Sequence, residues 1–141
     1  VNILFFQGNL LEPIIKKKSL ISHLGSPIII TANLPYLTEE QYNNSPTPEI
    51  HQEPKKALVA SDCGLALYKE LIRQIKTLLV HRSPVLVTAF FEIDPSQTAP
   101  LSRYIRDIFP TAAIEIKKDL MGKDRVIVIS LSTAPPQADG V

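Results

Sequence analysis

Ile28-Ile29-Ile30-Thr31-Ala32-Asn33-Leu34-Pro35-Tyr36 is the stretch on which the reading of this chain turns. Residues 28–32 form a β-branched run with no polar alternation. A strand that is apolar on both faces belongs in the middle of a parallel sheet covered by helices. Pro35 cannot donate to a ladder, so the strand must stop near Asn33. Open α/β sheets place their ligands beyond the carboxyl ends of their strands. Asn33 to Tyr36 therefore stand where a site is expected.

Working outward, Val1 to Phe6 (VNILFF) reads as a strand ending at the Gln7-Gly8-Asn9 turn. Lys16-Lys17-Lys18 reads as a solvated connection. After Tyr36, the stretch from Leu37 to Pro54 turns polar and carries Pro46, Pro48 and Pro54, a loop long enough to suggest function. Apolar residues at 65, 68, 71, 72, 75, 78 and 79 predict a helix over Leu65 to Val80, with Asp62 as its N-cap ahead of Gly64. Val85 to Ile93 is a second strand, and Leu101 to Phe109 a shorter helix stopped by Pro110. Ala112 to Ile116 and Val126 to Leu131 are too close together for a parallel crossover and predict an antiparallel hairpin. The sum is an α/β fold with mostly parallel strands, helices on both faces and a terminal antiparallel strand pair. Residues 1–131 make one domain, and the tail over 132–141 is read as disordered.

Composition narrows the function. Fifteen Lys plus Arg against 14 Asp plus Glu give a net charge of +1, which argues against a nucleic-acid binder relying on a bulk basic surface. A single cysteine, Cys63, excludes an internal disulfide and any Cys-rich zinc site, and fits a reducing cytosol. Histidines 23, 51 and 81 lie at no ligand spacing, so no metal is expected. No apolar run reaches the roughly 18 residues of a spanning helix. Val1, not Met, stands against a strand-like run, so the chain reads as a piece of a longer one.

Asn33-Leu34-Pro35-Tyr36 suits methylation of a planar NH2 group. The lone pair of such a nitrogen is delocalised, which makes it a poor nucleophile. The Asn33 carboxamide oxygen and the Leu34 main-chain carbonyl can each accept one N–H and concentrate negative charge on the attacking nitrogen. Pro35 fixes the backbone so that the two acceptors converge, and Tyr36 offers a flat face for stacking. Acceptors aimed at developing charge are electrostatic preorganisation, and placement against a methyl donor adds proximity. No general base is needed, because the product nitrogen loses its proton readily. Taken alone, the same four residues are equally an ordinary strand-ending turn.

The surrounding blocks carry a resemblance. Gln7 to Pro13 (QGNLLEP) and Ile30 to Leu37 (ITANLPYL) resemble the class I S-adenosylmethionine-dependent amino-methyltransferases. Glu53 to Leu58 (EPKKAL), Asp62-Cys63-Gly64-Leu65 with Leu67-Tyr68, and Lys118 to Val126 (KDLMGKDRV) are similar to the signatures of HemK-type N5-glutamine methyltransferases. The resemblance covers residues 1 to 131 and implies the C-terminal part of a Rossmann-like class I sheet. It implies methylation of the glutamine amide in the Gly-Gly-Gln loop of peptide chain release factors, in the cytoplasm, with S-adenosylmethionine as cofactor. Asn33, Leu34, Pro35 and Tyr36 are then catalytic, and Asn33, Pro35, Tyr36 and Glu53 bind substrate. Asn9, where the family carries Asp, together with Leu10 and Asn33, touches the cofactor.

Three departures stand out: Asn9 for Asp, Leu34 where the family prefers Pro, and Phe91-Glu92-Ile93-Asp94 where it carries a Glu-x-Gly ending. The Asn-Leu-Pro-Tyr form also occurs in ribosomal-RNA adenine dimethyltransferases, so an N6-adenine methyltransferase is the second reading. A non-catalytic binding module is the third. None of the five glycines forms a Gly-x-Gly cluster, so the loop that cradles the methionine end of the cofactor is expected upstream. The chain by itself is expected to be inactive. Lys117, Lys118 and Lys123 are either a small basic edge or a solvated hairpin.

Overall fold

A computed structural model describes residues 3–17, 19–20, 25, 27–81 and 84–132. Helix α1 (Glu12–Lys16) precedes strand β1 (Ile28–Ala32). Helix α2 (Glu39–Asn43) and two short 3-10 turns, Pro48–Gln52 and Lys55–Ala57, occupy the proline-rich stretch. The long helix α3 (Ala66–His81) leads to β2 (Leu86–Glu92). A 3-10 turn over Pro95–Gln97 runs into α4 (Thr98–Ile108), and β3 (Ala113–Lys118) and β4 (Asp124–Ser132) close the fold.

The four strands form one sheet in the order β1-β2-β4-β3. β1 and β2 are parallel, joined through α3, with Ala32 opposite Phe91. β4 runs antiparallel to both β2 and β3. The predicted hairpin is therefore present, and its second strand inserts between β2 and β3. The register decides where chemistry collects. Asn33 follows Ala32 just as Glu92 follows Phe91, so the two strand exits lie side by side.

Period-two alternation assigns the faces. Val87, Ala89 and Phe91 of β2 and Ile127, Ile129 and Leu131 of β4 share a buried core with Leu71, Ile72, Ile75 and Leu79 of α3 and Leu101 and Ile105 of α4. Truncating a ring as buried as Phe91 costs about 3–5 kcal/mol. Among the described residues both long helices lie on this face, so the expected cover on both faces is seen on one. The opposite face carries Leu86 and Phe90 partly exposed and Ile29 67% exposed.

Four further expectations are corrected. Residues 3–6 form no strand and their side chains are exposed, Phe5 by 92%. A strand exists only where a neighbour takes its backbone hydrogen bonds, and among the described residues none does. The stretch after Tyr36 is not structureless: Thr38 and Gln41 form a reciprocal capping box that starts α2. Asp62 is not the N-cap of α3, because it stands at φ +58° four residues before the helix starts at Ala66. Finally, Ser132 ends β4 rather than opening the tail. Residues 133–141, on which the disordered-tail reading falls, lie outside the described residues, as do Val1, Asn2 and His23.

Candidate functional site

The carboxyl end of β1 opens on a cavity of about 410 Å³. Asn33 to Leu37 form one wall, and Ile50, Glu53, Ala57 and Leu58 form the other. Sequence reasoning singled out Asn33, Leu34, Pro35, Tyr36 and Glu53, and all five line this one space. Ile50 was missed, because a lone isoleucine in a polar stretch carries no signal. The second wall is tied down by main-chain bonds: Leu37 donates to Leu58 (2.9 Å) and Ala60 to Leu37 (3.0 Å). Lys55 pairs with Glu39 of α2, which joins the Glu53-to-Leu58 segment to the helix after the turn.

Asn33 is exposed, and among the described residues its carboxamide makes no hydrogen bond. Leu34 is half-buried, and its carbonyl lies 3.4 Å from the Tyr68 hydroxyl. Tyr68 is fully buried and lies closer to the Glu92 carbonyl, to which it donates its one proton. A hydroxyl has a single hydrogen, so the Leu34 oxygen keeps accepting capacity. Burial raises the Tyr68 phenol well above its usual range and keeps it a donor.

Tyr36 is held at both ends. Its hydroxyl donates to Glu92 Oε1 (3.4 Å), and its carbonyl accepts from Gln97 Nε2 (2.9 Å). Desolvation first, then the Glu92 charge, raises the Tyr36 phenol, while Arg125 opposes the shift. Arg125 is fixed in turn by Asp119 (3.2 Å) and donates to the Ile93 carbonyl (3.4 Å). Asp119 also accepts from the Met121 and Lys123 amides, at 2.9 and 3.0 Å, so the β3–β4 turn supports the site from below.

Asn9 and Leu10 do not line the cavity. Asn9 is exposed, and half-buried Leu10 turns the chain at φ +54° against the core. The Gln74 side chain of α3 accepts from the Leu11 amide (2.7 Å) and holds that turn. Cys63 is free and exposed, and Asp94 caps its own 3-10 turn by accepting from Ser96 (2.9 Å). Lys117 and Lys118 are paired with Glu115 and Asp124. Among the described residues no group of three or more His, Cys, Asp or Glu could hold a metal, and no helix is long and apolar enough to cross a membrane.

A mixed open sheet with Asn-Leu-Pro-Tyr at the exit of its parallel strand is the α/β architecture of a Rossmann-like class I methyltransferase. No protein-family model matches the chain. The release factor glutamine methyltransferase of Bacillus subtilis (strain 168) is 36% identical over 126 residues, which is 89% of this chain and 40% of that protein. Those of Enterococcus faecalis and Staphylococcus aureus are 32% and 31% identical, over 88% and 89% of this chain. The chain is related to the HemK-type, release factor glutamine methyltransferases, and it spans about 40% of the length of the curated relatives it matches.

Proposed function

We propose that the protein carrying this chain transfers a methyl group from S-adenosylmethionine to the side-chain amide nitrogen of a glutamine in peptide chain release factors, in the cytoplasm. The observation that carries this reading is the convergence of Asn33, Leu34, Pro35, Tyr36 and Glu53 on one cavity, with two acceptors unspent. A glutamine amide presents two N–H groups in one plane. Asn33 Oδ1 accepts one and the Leu34 carbonyl the other, which raises electron density on the nitrogen as it attacks. Pro35, next in the chain, restricts the backbone of Leu34 before it. The Tyr36 ring flanks the amide plane, with its hydroxyl anchored on Glu92. Glu53, on the opposite wall, faces the peptide that bears the glutamine. The Leu34 carbonyl belongs to the main chain and is in place before substrate arrives, while the exposed Asn33 carboxamide is free to turn onto the second N–H.

S-adenosylmethionine, when bound, supplies a methyl group on a sulfonium centre. Three residues of this chain would meet it: Asn9, which is exposed, with an amide for the adenine edge, Leu10 with an apolar side chain for the ring, and Asn33 with a polar group toward the methyl.

The exocyclic amine of adenine presents the same planar NH2, so Asn33 to Tyr36 serve either target. The pairing of Lys117 and Lys118 with carboxylates, together with a net charge of +1, favours the protein substrate. The test uses the full-length protein with labelled methyl donor, a release factor, and the same factor with its Gly-Gly-Gln glutamine changed to alanine. Label on the first alone supports the proposal. Label on RNA or DNA, with steep salt dependence, would move the assignment to adenine. No heat of cofactor binding in calorimetry would make the protein a binding module.

A further inference from the structure

Gln97 is 2% exposed, sixty-one residues from the turn it touches, and belongs to none of the blocks that mark the site. Both of its side-chain N–H groups and its oxygen are engaged. Oε1 accepts from the Asp94 amide (3.1 Å), and Nε2 donates to the Tyr36 carbonyl (2.9 Å) and the Cys63 carbonyl (3.3 Å). Three segments thus meet on one carboxamide: the exit of β1, the turn before α3 and the exit of β2.

The turn before α3 is a costly piece of backbone. Asp62, Cys63 and Gly64 stand at φ +58°, +54° and +78°, a left-handed turn closed by Gly64 and Leu65 donating to the Ser61 and Asp62 carbonyls. L-residues pay about 1–2 kcal/mol each in that region, so the surroundings must hold the turn in place. Gln97 does so from one side. Lys69 does so from the other, through its ion pair with Asp62 (2.7 Å).

We propose that Gln97 is the positioning residue of the substrate turn, clamping the Tyr36 carbonyl to the left-handed turn so that Asn33 and the Leu34 carbonyl keep their convergence. The inference rests on the methyl-transfer reading above and deepens it. Only a group with both donors and an acceptor fills this place. Methionine has no donor and only a weakly accepting sulfur, and leaves the Tyr36 and Cys63 carbonyls without this partner. Glutamate, when ionised, sets a carboxylate against two carbonyl oxygens. When protonated, it can donate to Tyr36 and still accept from Asp94. Burial raises the pKa of a glutamate here, and so does Asp94 on its own turn; Asp62 on the left-handed turn is offset by Lys69, and Asp124, which pairs with Lys118, bonds Thr98 beside Gln97. Tyr36 from the β1 exit stays neutral, and Cys63, whose carbonyl Gln97 also holds, carries a thiol.

The test compares the full-length protein with Gln97→Met and Gln97→Glu. It measures kcat and KM for a release factor, cofactor affinity by calorimetry, and hydrogen exchange over residues 33–38 and 61–66. Gln97→Met should lower kcat by about ten- to a hundredfold, the scale of a small misplacement of reacting groups, with cofactor Kd unchanged. Exchange should rise in those two segments and not in β4. Gln97→Glu should regain kcat relative to the parent as pH is lowered, because its neutral form restores the bond to Tyr36. Parent-like kcat and exchange in Gln97→Met, or a Gln97→Glu profile parallel to the parent's, would overturn the inference. If Gln97→Met fails to fold, the Gln97→Glu profile decides. If the parent methylates no release factor, the substrate reading falls, and exchange over residues 33–38 still decides the role of Gln97.

Discussion

Gly64 offers the sharpest measure of how closely the substrate turn is packed. A Cβ placed on it would lie 2.0 Å from the Tyr36 carbonyl oxygen and 2.4 Å from Gln97 Nε2. Non-bonded carbons do not approach closer than about 3 Å, so Gly64→Ala must drive the Tyr36 backbone away by about 1 Å. Alanine at φ +78° adds about 1–2 kcal/mol of backbone cost. Breaking the 2.9 Å bond from Gln97 to Tyr36 leaves a buried carbonyl unpaired, at about 1–3 kcal/mol. The expected destabilisation is therefore about 2–5 kcal/mol, read as a shift of the urea midpoint. A shift of that size in the turn should also lower kcat on the order of 10²-fold. Gly122 supplies the control. It has nearly the same φ, +77°, and nothing within 4 Å of its Cβ position, so Gly122→Ala meets the backbone cost alone and keeps kcat. If Gly64→Ala matched Gly122→Ala in midpoint and in turnover, the packing of residue 64 against Tyr36 would be refuted.

Asn33→Ala in the full-length protein should lower kcat by about 10²–10³ while sparing cofactor affinity, because the acceptor matters most as charge develops on the nitrogen. Near-normal kcat would make Asn33 a turn residue only. Tyr36→Phe should cost less than about tenfold, since the hydroxyl bond to Glu92 is long at 3.4 Å and the ring remains. The 141-residue chain by itself should give no heat with S-adenosylmethionine, and should bind an apolar dye through Ile3 to Phe6, Ile29 and Phe90. A calorimetric isotherm with the chain alone would contradict this. Asp119 is held below its ordinary 3.8, first by the Lys123 amide and then by Arg125, so it stabilises the fold above its unfolded pKa, and that contribution is lost as pH falls through the folded value. Asp119→Asn should therefore flatten the drop in urea midpoint between about pH 5 and about pH 3; an unchanged slope would argue against the Asp119 contacts.

The sequence by itself determined α3 and α4, because burial on one side of a helix leaves a period that a single chain displays, and β1, β2 and the closing hairpin, because short apolar runs between prolines and turn residues have few other ways to be buried. It also singled out the residues that line one wall of the cavity. Asn33 to Tyr36 are contiguous, and a proline after a buried strand can end it in few ways. The polar stretch after Tyr36 reads as a loop, and only the structure shows the capping box of Thr38 and Gln41 that starts α2. The tertiary structure alone decided the rest. Residues 3–6 carry strand propensity, yet a strand needs a partner for its backbone, and propensity supplies none. Whether β4 lies beside β3 only or also beside β2 is a matter of sheet order, to which local pattern is blind. Glu92 and Gln97 reach Tyr36 from 56 and 61 residues away, and Arg125 reaches the Ile93 carbonyl at the neighbouring β2 exit from 32. Their role arises from the register that sets Ala32 opposite Phe91, and no spacing along the chain encodes that register.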